Sequence, residues 1–313
     1  MIRRGGTSLR LAFLALASWL LLASASAAAT CSASVSDINF GNVSVRAGAV
    51  NQTSGVITVT CTGILAPLTG ACISFGPGSG GAGGGNSPRY MRRGDNAALA
   101  YQLRPLGNGG TFGTLNHMFV KPPLTGGTIS VPFYADITSQ SVGVGTGSYS
   151  STFSGTNNIS LTYGVLACGL LGATVPVPPF TVSAEVVPSC EIDVTTLSFG
   201  YISSSLNSPI DESATVNVRC TSDTAYSVRM GMGTGPGVTN PAMRKMSSGG
   251  NTLAYGLYRD SARSLVWGDT STTDVDANGL GSNQAFTVYG RIHAGQSPPP
   301  GSYSDSVVVT VNY

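Results

Sequence analysis

Two stretches of this chain carry the same landmarks at the same spacings. Cys31 stands nine residues before the Phe40-Gly41 pair and thirty before Cys61; Cys190 stands nine before Phe199-Gly200 and thirty before Cys220. The text between agrees as well: CSASVSDINFG with CEIDVTTLSFG, VITVTC with TVNVRC, and ALAYQL (98–103) with TLAYGL (252–257). GSYSSTFSGTNNISLTY (147–163) answers GSYSDSVVVTVNY (301–313). Order and spacing persist over roughly 130 residues, so the chain is a tandem pair of homologous units, and whatever fold it takes it takes twice.

Strand signals dominate both copies. Val56 to Thr60, Ile129 to Val131, Thr215 to Val218, Ala285 to Tyr289 and Val307 to Val311 are rich in β-branched and aromatic residues, and most alternate apolar with polar. Clusters such as GPGSGGAGGGNSP (76–88) and GTGPGVTNP (233–241) separate them as turns. No long stretch has a 3.6-residue period. Short strands and regular turns in units of this size predict an all-β chain of two immunoglobulin-like β-sandwiches.

Residues 1–27 read as a secretory signal: Arg3, Arg4 and Arg10, then LAFLALASWLLLA, then a small-residue site at Ala25-Ser26-Ala27. Cleavage would leave 13 basic against 14 acidic residues, too balanced for a nucleic-acid partner. Six cysteines in an exported chain imply disulfides. The repeat pairs Cys31 with Cys61 and Cys190 with Cys220, leaving Cys72 for Cys168. Zinc is the competing use, but no C-x-x-C pair or nearby His supports it. The expected units are 28–187 and 188–313. The seam between them, VPVPPFTVSAEVVPSC (175–190), begins like a stiff linker. Yet Phe180, Val182, Ala184 and Val186 share one face, which a linker does not need and a half-buried strand does.

The Cys-x8-Phe-Gly opening, the second Cys thirty residues on, the MRRG (91–94) and MRKM (243–246) segments before LAY, and the closing GSYSD…V-x-V-x-Y resemble the spore coat protein U domain, the pilin module of archaic chaperone–usher pili. The resemblance implies sandwiches that lack a last strand. A periplasmic chaperone fills the gap during export, an outer-membrane usher assembles the fibre, and the next subunit's extension then replaces the chaperone by strand addition. On this reading the C-terminal unit is an acceptor, with Val307, Val309, Val311 and Tyr313 on its edge. Residues 180–187 close the first unit in cis, and the few residues expected between the signal and Cys31 offer no donor strand. A subunit that accepts without donating belongs at a fibre's tip. The implied function is a non-enzymatic, cofactor-free adhesin, secreted through the periplasm to the cell surface for attachment and biofilm formation. The alternative is a structural shaft or spore-coat-like subunit.

Three apolar first-unit segments, 62–70, 117–124 and 165–172, have no good counterpart in the second unit, and their Pro and Gly predict loops. The resemblance suggests hydrophobic fingers for an apolar or abiotic surface or a host ligand, drawing on Ile64, Leu65, Pro67, Leu68, Phe119, Val165, Leu166, Leu170 and Leu171. The same residues could instead cap the core. Other constellations are sparse. His117 and His293 fall in different units without a nucleophile at suggestive spacing. Asp193, Asp211 and Glu212 lack a calcium-loop pattern. Arg89, Arg92 and Arg93 read as a small basic cluster or a solvated strand edge.

Overall fold

The computed structural model describes residues 29–313 except 47, 64, 66–68, 107–109, 113–116, 139–142 and 166–170, with the backbone alone at 69, 165 and 171. The expected signal segment therefore lies outside the described residues. The first unit contributes β1 (Thr30–Val35), β2 (Ile38–Val43), β3 (Gln52–Thr62), β4 (Thr69–Phe75), β5 (Arg89–Arg92) and β6 (Ala98–Pro105). It continues with β7 (Met118–Val120), β8 (Gly127–Ile137), β9 (Gly147–Phe153), β10 (Ile159–Val165), β11 (Leu171–Pro176) and β12 (Phe180–Val186). The second unit holds β13 (Cys190–Val194), β14 (Ile210–Cys220), β15 (Ala225–Met230), β16 (Arg244–Ser248), β17 (Asn251–Tyr258), β18 (Val275–Asn278), β19 (Gln284–Ile292) and β20 (Val309–Asn312).

Alternation explains the layers. In β12 the side chains of Phe180, Val182, Ala184 and Val186 are buried, while the residues between them face outward. Strand β3 turns Ile57, Val59 and Cys61 inward in the same way. The first unit packs an eight-stranded sheet, ordered β1-β3-β8-β6-β5-β9-β12-β2, with a four-stranded sheet, β11-β10-β4-β7. Their shared core includes Phe75, Phe112, Phe133, Phe153 and Phe180. The second unit pairs a five-stranded sheet, β13-β14-β19-β17-β16, with a three-stranded one, β18-β15-β20, around a separate core. Both units are sandwiches of the immunoglobulin type.

The duplication holds strand by strand. Cys31 lies opposite Cys61 on β1 and β3, Cys190 opposite Cys220 on β13 and β14, and both pairs are disulfide-bonded. Cys72 is also in a disulfide; its expected partner, Cys168, lies outside the described residues. Gly41 and Gly200, the second members of the repeated Phe-Gly pairs, have φ of 65° and 68°, a turn that favours glycine.

The buried arginines correct the sequence reading of a basic cluster. Arg89 is fully enclosed: Nε donates to Gly76 O at 2.8 Å, Nη1 to Phe112 O at 2.5 Å and Nη2 to Phe75 O at 2.7 Å. Arg244 repeats this, reaching Gly231 O, Pro241 O, Met230 O and Trp267 O. The true counterpart of Met91 is thus Met246, two residues after Arg244, rather than Met243. Burial pushes the Arg89 pKa down to about 10 and lowers that of Arg244.

Three expectations about loops and strands also change. Met118–Val120 is a strand, β7, hydrogen-bonded beside β4, and residues 165 and 171 lie in β10 and β11. Their Pro and Gly neighbours mark strand ends rather than whole loops. The last strand is Val309–Asn312, shorter than the apolar alternation from residue 307 suggested, because only these residues face β15.

Candidate functional site

The two units differ where β12 stands. Antiparallel to β9, β12 sets Phe180 opposite Phe153, Val182 opposite Ser151, Ala184 opposite Tyr149 and Val186 opposite Gly147. Its other edge runs parallel to β2, with Val182 opposite Ile38 and Val186 opposite Val43. Phe180 stacks on Phe153 at 4.6 Å between ring centroids. Strand β11 meanwhile lines the free edge of β10.

The second unit contains the segments that correspond to β2, β9 and β10, but among the described residues nothing corresponds to β11 or β12. Deprived of that partner, residues 197–200, the copy of β2, form no strand. The copy of β9, residues 301–307, keeps a single bridge, Ser304 with Ser247, matching the Ser150–Arg92 pair of the first unit. Between these segments lies a groove of about 890 Å³ floored by Tyr255, Leu257, Val288 and Ile292. Leu197, Phe199, Val307 and Val309 form its walls. The missing cover shows at β13: Ile192 and Val194 are 42% and 46% exposed, whereas their counterparts Ala33 and Val35 are 7% and 8% exposed. An unpaired edge beside an apolar trough is a template for one added strand.

One charged side chain lines the groove. Asp305 occupies the place of Ser151 and accepts hydrogen bonds from Tyr255 Oη at 2.7 Å and from Thr234 N and Oγ1 at 2.7 and 2.8 Å. Burial pushes its pKa up, but these donors outweigh it and hold the carboxyl below the usual range. Tyr255 is pushed up, by burial first and then by Asp305. Sequence comparison of GSYSS with GSYSD displayed the Ser-to-Asp difference, but only the geometry gives it partners.

Val307, Val309 and Val311 pack against the second core, Val307 and Val309 also line the groove, and Tyr313 is exposed. Of the apolar first-unit residues expected as fingers, the structure describes the side chains of Leu65 and Phe119. Leu65 is 3% exposed and belongs to the core, its amide bonded to Leu124 O, so it is no surface contact. Burial wins there because Leu65, between β3 and β4 in sequence, packs into the first core. Phe119 is 54% exposed and lies over Gly70, where a Cβ would meet its ring. Ile64, Pro67, Leu68, Leu166 and Leu170 lie outside the described residues, as do the side chains of Val165 and Leu171. The histidines serve as structural ligands: His117 Nδ1 bonds Ser74 Oγ, and His293 Nε2 donates to Ala242 O.

Comparison with known proteins agrees with this duplication. A profile of the Spore Coat Protein U domain matches residues 17–156 and again 177–310. The chain belongs to the Spore Coat Protein U domain family. Protein U of Myxococcus xanthus is a relative, 33% identical over 128 residues, 38% of this chain and 72% of that protein. Among solved structures, the chain is similar to one from the CsuC–CsuE chaperone–tip adhesion subunit pre-assembly complex of the archaic chaperone–usher Csu pili of Acinetobacter baumannii. The TM-score is 0.51 at 18% identity, over 90% of this chain and 100% of that one. At that identity the likeness bears on fold, and it extends over both Spore Coat Protein U units.

Proposed function

We propose that this chain is a non-enzymatic pilus subunit of the archaic chaperone–usher type, seated at the fibre tip as its adhesin. The observation that carries the reading is the contrast between the two units: the same trough is filled by β12 in the first and open in the second. A sandwich with an open trough exposes apolar surface and an unpaired edge, so it needs an extended segment from another chain. During export a periplasmic chaperone supplies that segment; after delivery to the outer-membrane usher, the next subunit supplies it. The CsuE chain, a tip adhesion subunit paired with its chaperone, supports the assignment by fold. The first unit, closed by its own strand, is then free to meet a surface through apolar side chains such as the exposed Phe119, and so to support biofilm growth.

Co-expression with the chaperone of a chaperone–usher system tests this. One chaperone should bind per chain and protect the second unit. Two bound chaperones would mean that the first unit is also open, and none would remove the acceptor reading.

A further inference from the structure

The empty groove poses a mechanical problem. In the first unit β9 is held along its length by seven pairs with β12. Its copy in the second unit, residues 301–307, has no such partner, yet it must stay extended and in register for an incoming strand to find it. Two backbone bonds attach this segment to a neighbour, Ser247 N to Ser304 O at 2.8 Å and Ser304 N to Ser247 O at 3.2 Å, and a third, Gly231 N to Val308 O at 2.9 Å, holds the residue that follows it. An edge so sparsely bonded would fray on its own.

Asp305 sits near the middle of that segment and ties it to Thr234 and to Tyr255. One carboxylate oxygen takes both the amide and the hydroxyl of Thr234, and also the Ser306 amide at 2.8 Å. The other takes the Tyr255 hydroxyl, whose ring is fixed in β17. The receiving loop is shaped for this: Gly233 has φ of 82°, and a Cβ there would run into the carboxylate. The filled unit has no carboxylate there; Tyr101 and Ser151 stand where Tyr255 and Asp305 do. There Ser151 accepts one amide bond, from Gly80 N at 3.1 Å, and β12 does the rest.

We propose that Asp305 is a positioning residue that keeps the acceptor edge assembled while the groove is empty. The inference rests on the acceptor reading of the second unit. It gives the charge a purpose that is specific to the open state: once a strand pairs with 301–307, the clasp becomes redundant, as the serine of the first unit shows. Pre-ordering the edge also spares the incoming strand the entropy of ordering it.

The test compares two forms of the mature chain. One ends at Tyr313; the other continues with a copy of residues 164–187, Cys168→Ser in the copy, so that β11 and β12 follow the second unit as they follow the first. The extended form should melt higher in its second unit; no gain would overturn the acceptor reading and with it the role of Asp305. Given that gain, Asp305→Asn should lower the second unit's Tm by roughly 5 °C in the open chain and less than half as much in the extended one. Amide exchange across residues 303–309 should quicken about tenfold in the open chain only. An equal loss in both forms, or none in the open chain, would refute the clasp while leaving the acceptor reading intact. If the open Asp305→Asn chain does not accumulate, Thr234→Val, which removes one donor and spares the amide, is read in the same way.

Discussion

Replacing Phe180 by Ala probes whether the strand between the units belongs to the first core. Phe180 is 2% exposed, lies 4.6 Å from the parallel ring of Phe153 and meets Phe75 edge-on at 6.1 Å. Truncating a phenylalanine so enclosed costs about 3–5 kcal/mol, from lost transfer energy and the cavity left behind. That is a large fraction of the 5–15 kcal/mol that holds a typical domain together, so the first unit should become marginal. The second unit has its own core and should not respond. The chain supplies a convenient reporter. Of its two tryptophans, Trp19 falls in the expected signal segment, and Trp267 is buried in the second core with Nε1 donating to Val228 O. Urea unfolding followed by tryptophan fluorescence therefore tracks the second unit, and far-ultraviolet circular dichroism tracks both. Phe180→Ala should pull the dichroism midpoint down and leave the fluorescence midpoint in place. A first-unit loss under about 1 kcal/mol would refute burial of the seam strand, and a matching shift in Trp267 fluorescence would refute the independence of the cores.

Other perturbations separate the remaining claims. Arg244→Met keeps the length of the side chain but strands the carbonyls of Gly231, Pro241, Met230 and Trp267, and should cost the second unit on the order of 3 kcal/mol in the same fluorescence assay. A loss no larger than that of an exposed arginine would show that water replaces the guanidinium. The carboxyl of Asp305 is held below its ordinary value of about 4, so its stabilisation is present above that pH and drains away as pH falls through the lowered folded value. Melting of the second unit between about pH 6 and 2.5 should show this decline, and Asp305→Asn should flatten it. Phe119→Ser should weaken attachment to apolar surfaces while leaving the first unit's Tm within about 2 °C; a larger thermal loss with unchanged attachment would make Phe119 a core cap.

The fold was legible because period-two alternation and fixed cysteine spacing depend on neighbours along the chain. Cys31 and Cys61 had to face each other if β1 and β3 paired, and Phe180 to Val186 had to be a strand once one face was apolar. What escaped reading depends on partners distant in sequence. Arg89 looks like a surface charge beside Arg92 and Arg93 until the carbonyls of Gly76, Phe75 and Phe112 close around it. Leu65 carries the same apolar signal whether it joins a core or greets a surface, and only its burial in the folded chain decides. The groove is the sharpest case. Leu197, Phe199 and Val307 repeat the pattern of residues that are strands in the first unit, so sequence alone predicts strands for them too. They are not strands, because strand formation is a property of pairs: remove β12 and both β2 and β9 lose their ladder at once. Two segments with strand-forming sequence and no ladder, flanking one trough, therefore mark a specific absence, and Asp305 is the one charged side chain that lines it, standing where the filled copy has Ser151.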